Sequence, residues 1–423
     1  MNKSATLDQT RPDQTRPDQT RPDQHYCLNS SHEKILLVTL YGNFNYGNVL
    51  QRLALAGVLE SLGFEVDHLC PLTPAPKVKV SGRKIFERRI KTFIKRMLAL
   101  AGIKRFWLRE LEYRAKAEQA ERRRQEIALF ESKIKPFQDK YITRRIYMTR
   151  DEVLSSEPKR WEAYKFAVTG RDQVWHNWSR SENELAYYYL EFMPREKRIN
   201  YAPSFGFSEF MSDDYELHEK GLAGFERLSS REQEGGDMIK ELTGRDAEFV
   251  LDPTLLLNAE QWRCYESKPA DISERYILCY FLGSLPPAYL RTIKNTAGNL
   301  PVINILNTEN ALEVPEFHNC RVTPSEFLYL IRQSEFVCTN SFHGTAFSIN
   351  FQKNFLAFNR KQRGLEDMFN RIESLLAALG LTDNVYKRFM TSRPENINYE
   401  LVNKRLDLMR EKSIKYLKNC LKA

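Results

Sequence analysis

Phe336-Val337-Cys338-Thr339-Asn340-Ser341-Phe342-His343-Gly344-Thr345-Ala346-Phe347 runs from a short apolar strand through a polar turn into a helix. Phe336 to Cys338 reads as a buried strand, Asn340 and Ser341 as turn or N-cap residues, and Thr345 to Phe351 carries an apolar pattern of helix length. A strand, a turn and a helix N-terminus in succession is where an α/β protein places a ligand, because the first backbone N–H groups of the helix are unpaired and face it. His343 sits on that turn and exchanges protons near neutral pH, while Gly344 allows close approach. Two readings of the histidine stay open here: a group at a ligand site, or a capping residue inside the fold.

The same rhythm recurs along the chain. Ile35 to Leu40 is an apolar strand, Tyr41 to Asn48 a glycine- and asparagine-rich turn, Val49 to Leu62 an amphipathic helix closed by Gly63, and Phe64 to Leu69 the next strand. This βαβ opening predicts a doubly wound sheet with its first loop at a strand's carboxyl end. Neither GxGxxG nor a P-loop lysine is present, so that loop is either a plain turn or a ligand loop. Further on, strands at Phe166 to Thr169, Ile199 to Ala202, Leu228 to Ser230 and Phe249 to Leu251 end in small, polar or charged residues, as a crevice along one sheet edge requires. A second unit starts near Tyr276, with strands at Ile277 to Leu282, Val302 to Leu306, Phe336 to Cys338 and Phe355 to Phe358. The expected organisation is an N-terminal Rossmann-like lobe over 33–265 and a C-terminal one over 266–423 that ends in helices.

Composition excludes several classes. A chain of 423 residues, 42% hydrophobic and 12% aromatic, is long enough for two domains that each bury a core. No apolar run reaches the ~20 residues of a membrane-spanning helix, and the N-terminus lacks the apolar core of a signal peptide, which predicts a cytoplasmic protein. Seven scattered cysteines without CxxC spacing argue against a disulfide framework and a structural zinc site. No metal cluster is expected. A net charge of +9 favours anionic partners. Part of it lies in a helical insertion at about 83–132, where Arg83, Lys84, Arg88, Arg89, Lys91, Lys95 and Arg96 flank an apolar stripe and Arg122 to Arg124 follow. Such a helix either rests on an anionic membrane surface or packs on the domain with a solvated basic side. No nucleic-acid motif accompanies it, so no nucleic-acid partner is expected. Residues 10–24 repeat Thr-Arg-Pro-Asp-Gln three times, too polar and proline-rich to bury anything, and 1–32 read as a disordered tail.

Taken in order, Asn45-Tyr46-Gly47-Asn48 with Leu50-Gln51, Gly170-Arg171-Asp172-Gln173-Val174-Trp175, Tyr201 to Gly206, Ser230-Arg231-Glu232, Leu251-Asp252-Pro253-Thr254 and Ser341-Phe342-His343-Gly344 resemble the polysaccharide pyruvyltransferase family. The ordered set spans about residues 34 to 365. The resemblance implies two Rossmann-like lobes facing across a cleft in the GT-B manner. It also implies transfer of pyruvate from phosphoenolpyruvate to two hydroxyls of a sugar, as a ketal, in capsule, exopolysaccharide or related glycan assembly, with no cofactor. By the same likeness His343 and Arg231 are the catalytic pair, and Arg363, with Arg360 as the alternative, is a further arginine. Ser341, Gly344, Asn48, Asp172, Arg171 and Glu232 belong to the expected substrate site, Asp172 and Glu232 either orienting acceptor hydroxyls or pairing arginines and capping helices. The acceptor is expected to be lipid-linked or nucleotide-linked. The chain departs from the pattern at Arg171, where many members carry serine, and at Pro203, where alanine is commoner. The residue types suit the chemistry: a donor with a carboxylate and a phosphate calls for guanidinium forks, and proton transfers call for a histidine. A nucleotide-sugar glycosyltransferase of the same architecture, or a non-catalytic glycan-assembly protein, is the alternative.

Overall fold

The computed structural model describes residues 33–41, 45–72, 104–170, 172–177, 181–210, 212–283, 285–307, 313–360, 369–387 and 394–422. Five parallel strands, β1 (Lys34–Val38), β2 (Glu65–Leu72), β3 (Arg145–Thr149), β4 (Tyr164–Gly170) and β5 (Arg198–Tyr201), form a first sheet in the order β3-β2-β1-β4-β5. Two short strands, β6 (Ser229–Ser230) and β7 (Glu248–Phe249), pair with each other in a separate parallel sheet. The last five, β8 (Ile277–Tyr280), β9 (Val302–Ile305), β10 (His318–Cys320), β11 (Phe336–Thr339) and β12 (Phe355–Ala357), repeat the first pattern in the order β10-β9-β8-β11-β12. Both five-stranded orders are the doubly wound arrangement, so the two Rossmann-like lobes expected from the strand rhythm are present.

Two edge strands, β3 and β10, escaped the sequence pattern because their residues alternate weakly and are half exposed. The crevice expected along one sheet edge is also built differently. Of the four strand ends assigned to it, those after β4 and β5 belong to the first sheet, whereas those after β6 and β7 come from the separate small sheet, which lies beside β5.

Helix α1 (Tyr46–Ser61) joins β1 to β2 and ties the lobes together. It begins three residues earlier than its apolar pattern suggests, because Asn45 Oδ1 accepts the Gly47 N–H at 2.8 Å and caps it. Tyr46 therefore points into the second lobe, stacked on Phe327 at 4.7 Å with its hydroxyl donating to the Val322 carbonyl at 2.9 Å. Helix α2 (Lys104–Tyr141) buries Phe130, Ile134 and Phe137 beneath α1. The stretch 83–103 of the basic insertion lies outside the described residues, as do the repeat tail, Arg171 and Arg363; Arg122 and Arg124 are exposed.

Helix α3 (Glu182–Tyr188) covers the first sheet, and α4 (Gln233–Thr243) follows β6 and stops at Gly244 in the left-handed region, as a C-cap glycine does. Helix α5 (Phe342–Asn350) follows β11, and α6 (Asn370–Leu379) lies beside it. The terminal α7 (Tyr399–Cys420) returns from the second lobe to the first. Tyr416 donates to the Asn200 carbonyl at 3.1 Å, Ser413 Oγ accepts the Leu251 N–H at 2.9 Å, and Arg410 donates to the Leu255 carbonyl at 2.7 Å. Among the described residues no helix is long and apolar enough to cross a membrane.

Candidate functional site

In a doubly wound sheet the crevice opens at the carboxyl ends of the two strands where the order reverses. In the first sheet these are β1 and β4, and in the second β8 and β11. The start of α1 and the segments that follow β4, β6, β7 and β11 converge on one buried cluster. Ser341 caps α5, its Oγ accepting the Gly344 N–H at 3.3 Å, so His343 is the second residue of the helix and is held by its geometry. A side chain on Gly344 would run into Thr339, which packs the helix start on the strand end. The roles of Ser341 and Gly344 visible here are to fix the turn.

His343 meets the first lobe at Gly47. A Cβ there would fall inside the imidazole, so this glycine serves helix-to-ring packing and not a turn. His343 Nε2 is buried, has no hydrogen-bond partner, and lies 4.0 Å from Asp252 Oδ2. Burial pulls the imidazole down to about 4; Asp252 and Asp172 oppose this, and Arg231 and Arg371 add to it. At neutral pH it is therefore uncharged and available as a base.

Arg231 is wholly buried at the centre. Its Nη1 donates to Asp252 Oδ2 and its Nη2 to Asp172 Oδ1, each at 2.9 Å, and its guanidinium carbon lies 5.0 Å from the centre of the Phe342 ring. Asp252 also accepts from Gln51 Nε2, from the Thr254 N–H at 3.0 Å and from Thr254 Oγ1 at 2.7 Å. Burial works to raise its carboxyl, but the neighbouring charges and these donors outweigh it and hold Asp252 ionised. Burial likewise opposes ionisation of Asp172, and Arg231 and Arg371 overcome it, leaving that carboxyl well below the usual range.

Asp172 follows β4 with a left-handed φ of 51°, a conformation aspartate tolerates better than most side chains. Its carbonyl accepts the Ser204 N–H at 2.8 Å and the Val174 N–H at 3.0 Å, which locks the loop. Gly170 makes this turn possible: its φ is +148°, and a Cβ there would strike the Tyr201 carbonyl. Glu232 occupies the N-cap position of α4 without capping it; its Oε1 accepts from Ser204 Oγ at 2.7 Å, while Oε2 is buried without a hydrogen bond, 3.9 Å from Arg231 Nε. Burial raises its carboxyl.

The structure thus brings together His343, Arg231, Asp172 and Glu232, and of the two roles open for the carboxylates it displays arginine pairing. Asn48 lies beside Gly47 on α1, half-buried, and Arg360 is buried after β12. Four further residues belong to the cluster. Asp252, Gln51 and Ser204 stand inside motifs quoted above, Asp252 and Ser204 just past strand ends and Gln51 on α1. Arg371 on α6 donates to Asp172 Oδ1 at 3.1 Å and carries no local sequence signal. Three carboxylates thus face two guanidiniums and a neutral imidazole. Among the described residues no three His, Cys, Asp or Glu side chains converge as metal ligands do.

Residues 45–362, more than half of the chain, match the family described as Polysaccharide pyruvyl transferase. The chain belongs to this family. It is a transferase of the kind that acts on polysaccharide, and all six motifs that carried the resemblance lie within the matched span. No curated protein is matched at a significant level. Among solved structures, the chain is similar to a UDP-GlcNAc 2-epimerase from Neisseria meningitidis at 10% identity, covering 92% of this chain and 94% of that one, with a TM-score of 0.41. The glycosyltransferase SnogD from Streptomyces nogalater is similar at 10% identity over 92% and 100% of the two chains, with a TM-score of 0.42. E. coli ADP-heptose LPS heptosyltransferase II is similar at 11% identity over 90% and 99%, with a TM-score of 0.34.

Proposed function

We propose that this protein transfers pyruvate from phosphoenolpyruvate to two hydroxyls of one sugar, forming a ketal, during capsule, exopolysaccharide or related cell-surface glycan synthesis on the cytoplasmic side of the membrane. The observation that carries the reading is the buried meeting of an uncharged, unpartnered His343 imidazole with Arg231 and Arg371, in a chain that matches the family across both lobes.

The residue types fit each step. Protonation of the donor's methylene carbon places a developing cation at C2. One sugar hydroxyl attacks that carbon and gives up its proton, phosphate departs with the C2–O bond pair, and the second hydroxyl closes the ketal as it loses its own proton. His343 Nε2 takes a hydroxyl proton, a transfer that contributes about 10²–10⁴-fold when the base is well placed. Asp252, 4.0 Å away, steadies the imidazolium that results. Arg231 and Arg371 hold the donor's carboxylate or phosphate in competition with Asp172, to which both already donate. Arg363 or Arg360 supplies a further cation, and Glu232, beside Ser204, orients an acceptor hydroxyl.

The test is to incubate the protein with phosphoenolpyruvate and lipid-linked or nucleotide-linked sugars, following phosphate release together with acceptor mass. Phosphate released in step with an acceptor gaining a pyruvyl ketal supports the reading. Consumption of a nucleotide sugar with indifference to phosphoenolpyruvate replaces it with glycosyl transfer.

A further inference from the structure

Two pairs of residues on adjacent faces of α1 lead to different places. Gly47 and Gln51, four apart and therefore on one face, touch His343 and Asp252. Asn48 and Arg52 share the neighbouring face, and Arg52 reaches back under the end of β1. Its Nη2 donates to the Leu40 carbonyl at 2.9 Å and its Nε to Thr39 Oγ1 at 3.3 Å. Its Nη1 is buried with no partner, and among the described residues Arg52 forms no ion pair, although it is only 1% exposed. A guanidinium so buried without a carboxylate is costly to keep: burial lowers its proton affinity, and the thiol of Cys70 and the phenols of Tyr41, Tyr187 and Tyr188 offset that only in part.

The surroundings supply donors and rings in place of an anion. Tyr187, from α3, is fully buried with its hydroxyl unpartnered, and burial holds that phenol protonated, within the field of both Arg52 and Arg150. The Tyr41 ring lies 4.6 Å from the Arg52 guanidinium and meets Tyr147 edge-on at 6.2 Å. Tyr41 is half-buried and Tyr147 exposed, so this pair forms the rim. The neighbouring Arg150 differs from Arg52 in having its own carboxylate, Glu184, at 3.1 Å.

We infer that Arg52 and Tyr187 form an oxyanion subsite under the Tyr41 ring, which receives the phosphate or diphosphate of the acceptor sugar. The word acceptor rests on the pyruvyl-transfer reading; the oxyanion does not. A phosphate group brings three strong acceptor oxygens to two unused donors and supplies the negative charge the buried guanidinium lacks. The rim tyrosines offer flat faces for the sugar or its carrier. The site stands next to the His343 cluster across the width of one helix, so a sugar anchored by its phosphate presents its hydroxyls toward that cluster.

Calorimetry with inorganic pyrophosphate on the full-length protein tests this. The parent binds, and Tyr187→Phe and Arg52→Gln each weaken binding tenfold or more. Because the Tyr187 hydroxyl makes no bond in this structure, Tyr187→Phe melts at or above the parent temperature, which separates lost binding from lost folding. Pyrophosphate binding that is absent in the parent, or unchanged in Tyr187→Phe, overturns the subsite. Uridine diphosphate and farnesyl diphosphate then distinguish a nucleotide from a lipid carrier: tighter binding of either, lost in Tyr187→Phe, supports the subsite and names the source. A parent that binds pyrophosphate through Arg52 yet makes no ketal from phosphoenolpyruvate keeps the subsite and refutes the pyruvyl-transfer reading.

Discussion

Replacing Gly47 by alanine separates the packing of the site from the ordinary preferences of a helix. In an open helical position glycine to alanine stabilises by about 1 kcal/mol, because alanine loses less backbone entropy on folding. Gly57, in the same helix with nothing near its Cα, is such a position. At Gly47 the new Cβ falls within the His343 ring, well inside the 3.0 Å that real Cβ atoms respect. Neither group has room to yield: the backbone belongs to a capped helix start, and the ring is fully enclosed. Overpacking of this kind costs about 1–3 kcal/mol, which cancels or exceeds the helical gain. The imidazole must shift by on the order of 1 Å, and a displacement of that size at a catalytic group lowers turnover by about 10²-fold. Thermal melts and turnover with phosphoenolpyruvate, run side by side on Gly47→Ala and Gly57→Ala, give the answer. Gly57→Ala melts on the order of 1–2 °C higher with full activity, and Gly47→Ala melts at or below the parent with activity reduced about a hundredfold. A Gly47→Ala protein that is both more stable and fully active refutes the placement of His343 against α1.

Three further outcomes are expected. The depressed His343 makes stability depend on acid: its folded value of about 4 lies below the ordinary 6.5, so the unfolded chain takes up this proton first, and stability is lost as pH falls from about 6.5 toward 4, by at most ~1.4 kcal/mol per pH unit. Subtracting the urea-unfolding curves of His343→Asn from those of the parent isolates this loss, and the parent's pH–kcat/KM profile shows no limb near 6.5 from this group. Asp252→Asn breaks a buried carboxylate that Arg231, Gln51 and Thr254 all serve, which costs about 3–5 kcal/mol in urea unfolding. Arg371→Gln removes one of the two cations on Asp172; because that pair is partly exposed, stability falls by about 1–2 kcal/mol, and the larger effect is a raised KM for phosphoenolpyruvate in steady-state assays.

The parts of this protein that could be read from sequence are those whose physics is local. A strand, a capping serine and a helix start within twelve residues place His343, and the same local logic gave α1 and both βαβ rhythms. What stayed hidden depends on contacts across the chain. Arg231 reads as an arginine waiting for an anion, whereas its Nη1 and Nη2 already bond carboxylates 21 and 59 positions away. Arg371 lies 199 positions from the aspartate it serves, on a helix whose pattern speaks only of packing. The small β6–β7 sheet was read as part of a longer row because two-residue strands carry no periodicity. Gly47 was taken for a turn glycine because sequence shows the absence of a side chain, not the imidazole that fills the space.

The central claim is that phosphoenolpyruvate is the donor and that His343 handles protons while Arg231 holds the donor's charge. Calorimetric titration of phosphoenolpyruvate into the parent, His343→Ala and Arg231→Ala, each checked for folding, tests it most directly. The account predicts binding by the parent, nearly equal binding by His343→Ala despite a turnover lowered on the order of 10²-fold, and a loss of roughly 2–3 kcal/mol of affinity in Arg231→Ala that Arg231→Lys restores poorly. A parent that ignores phosphoenolpyruvate, or an Arg231→Ala protein that binds it as the parent does, contradicts the account.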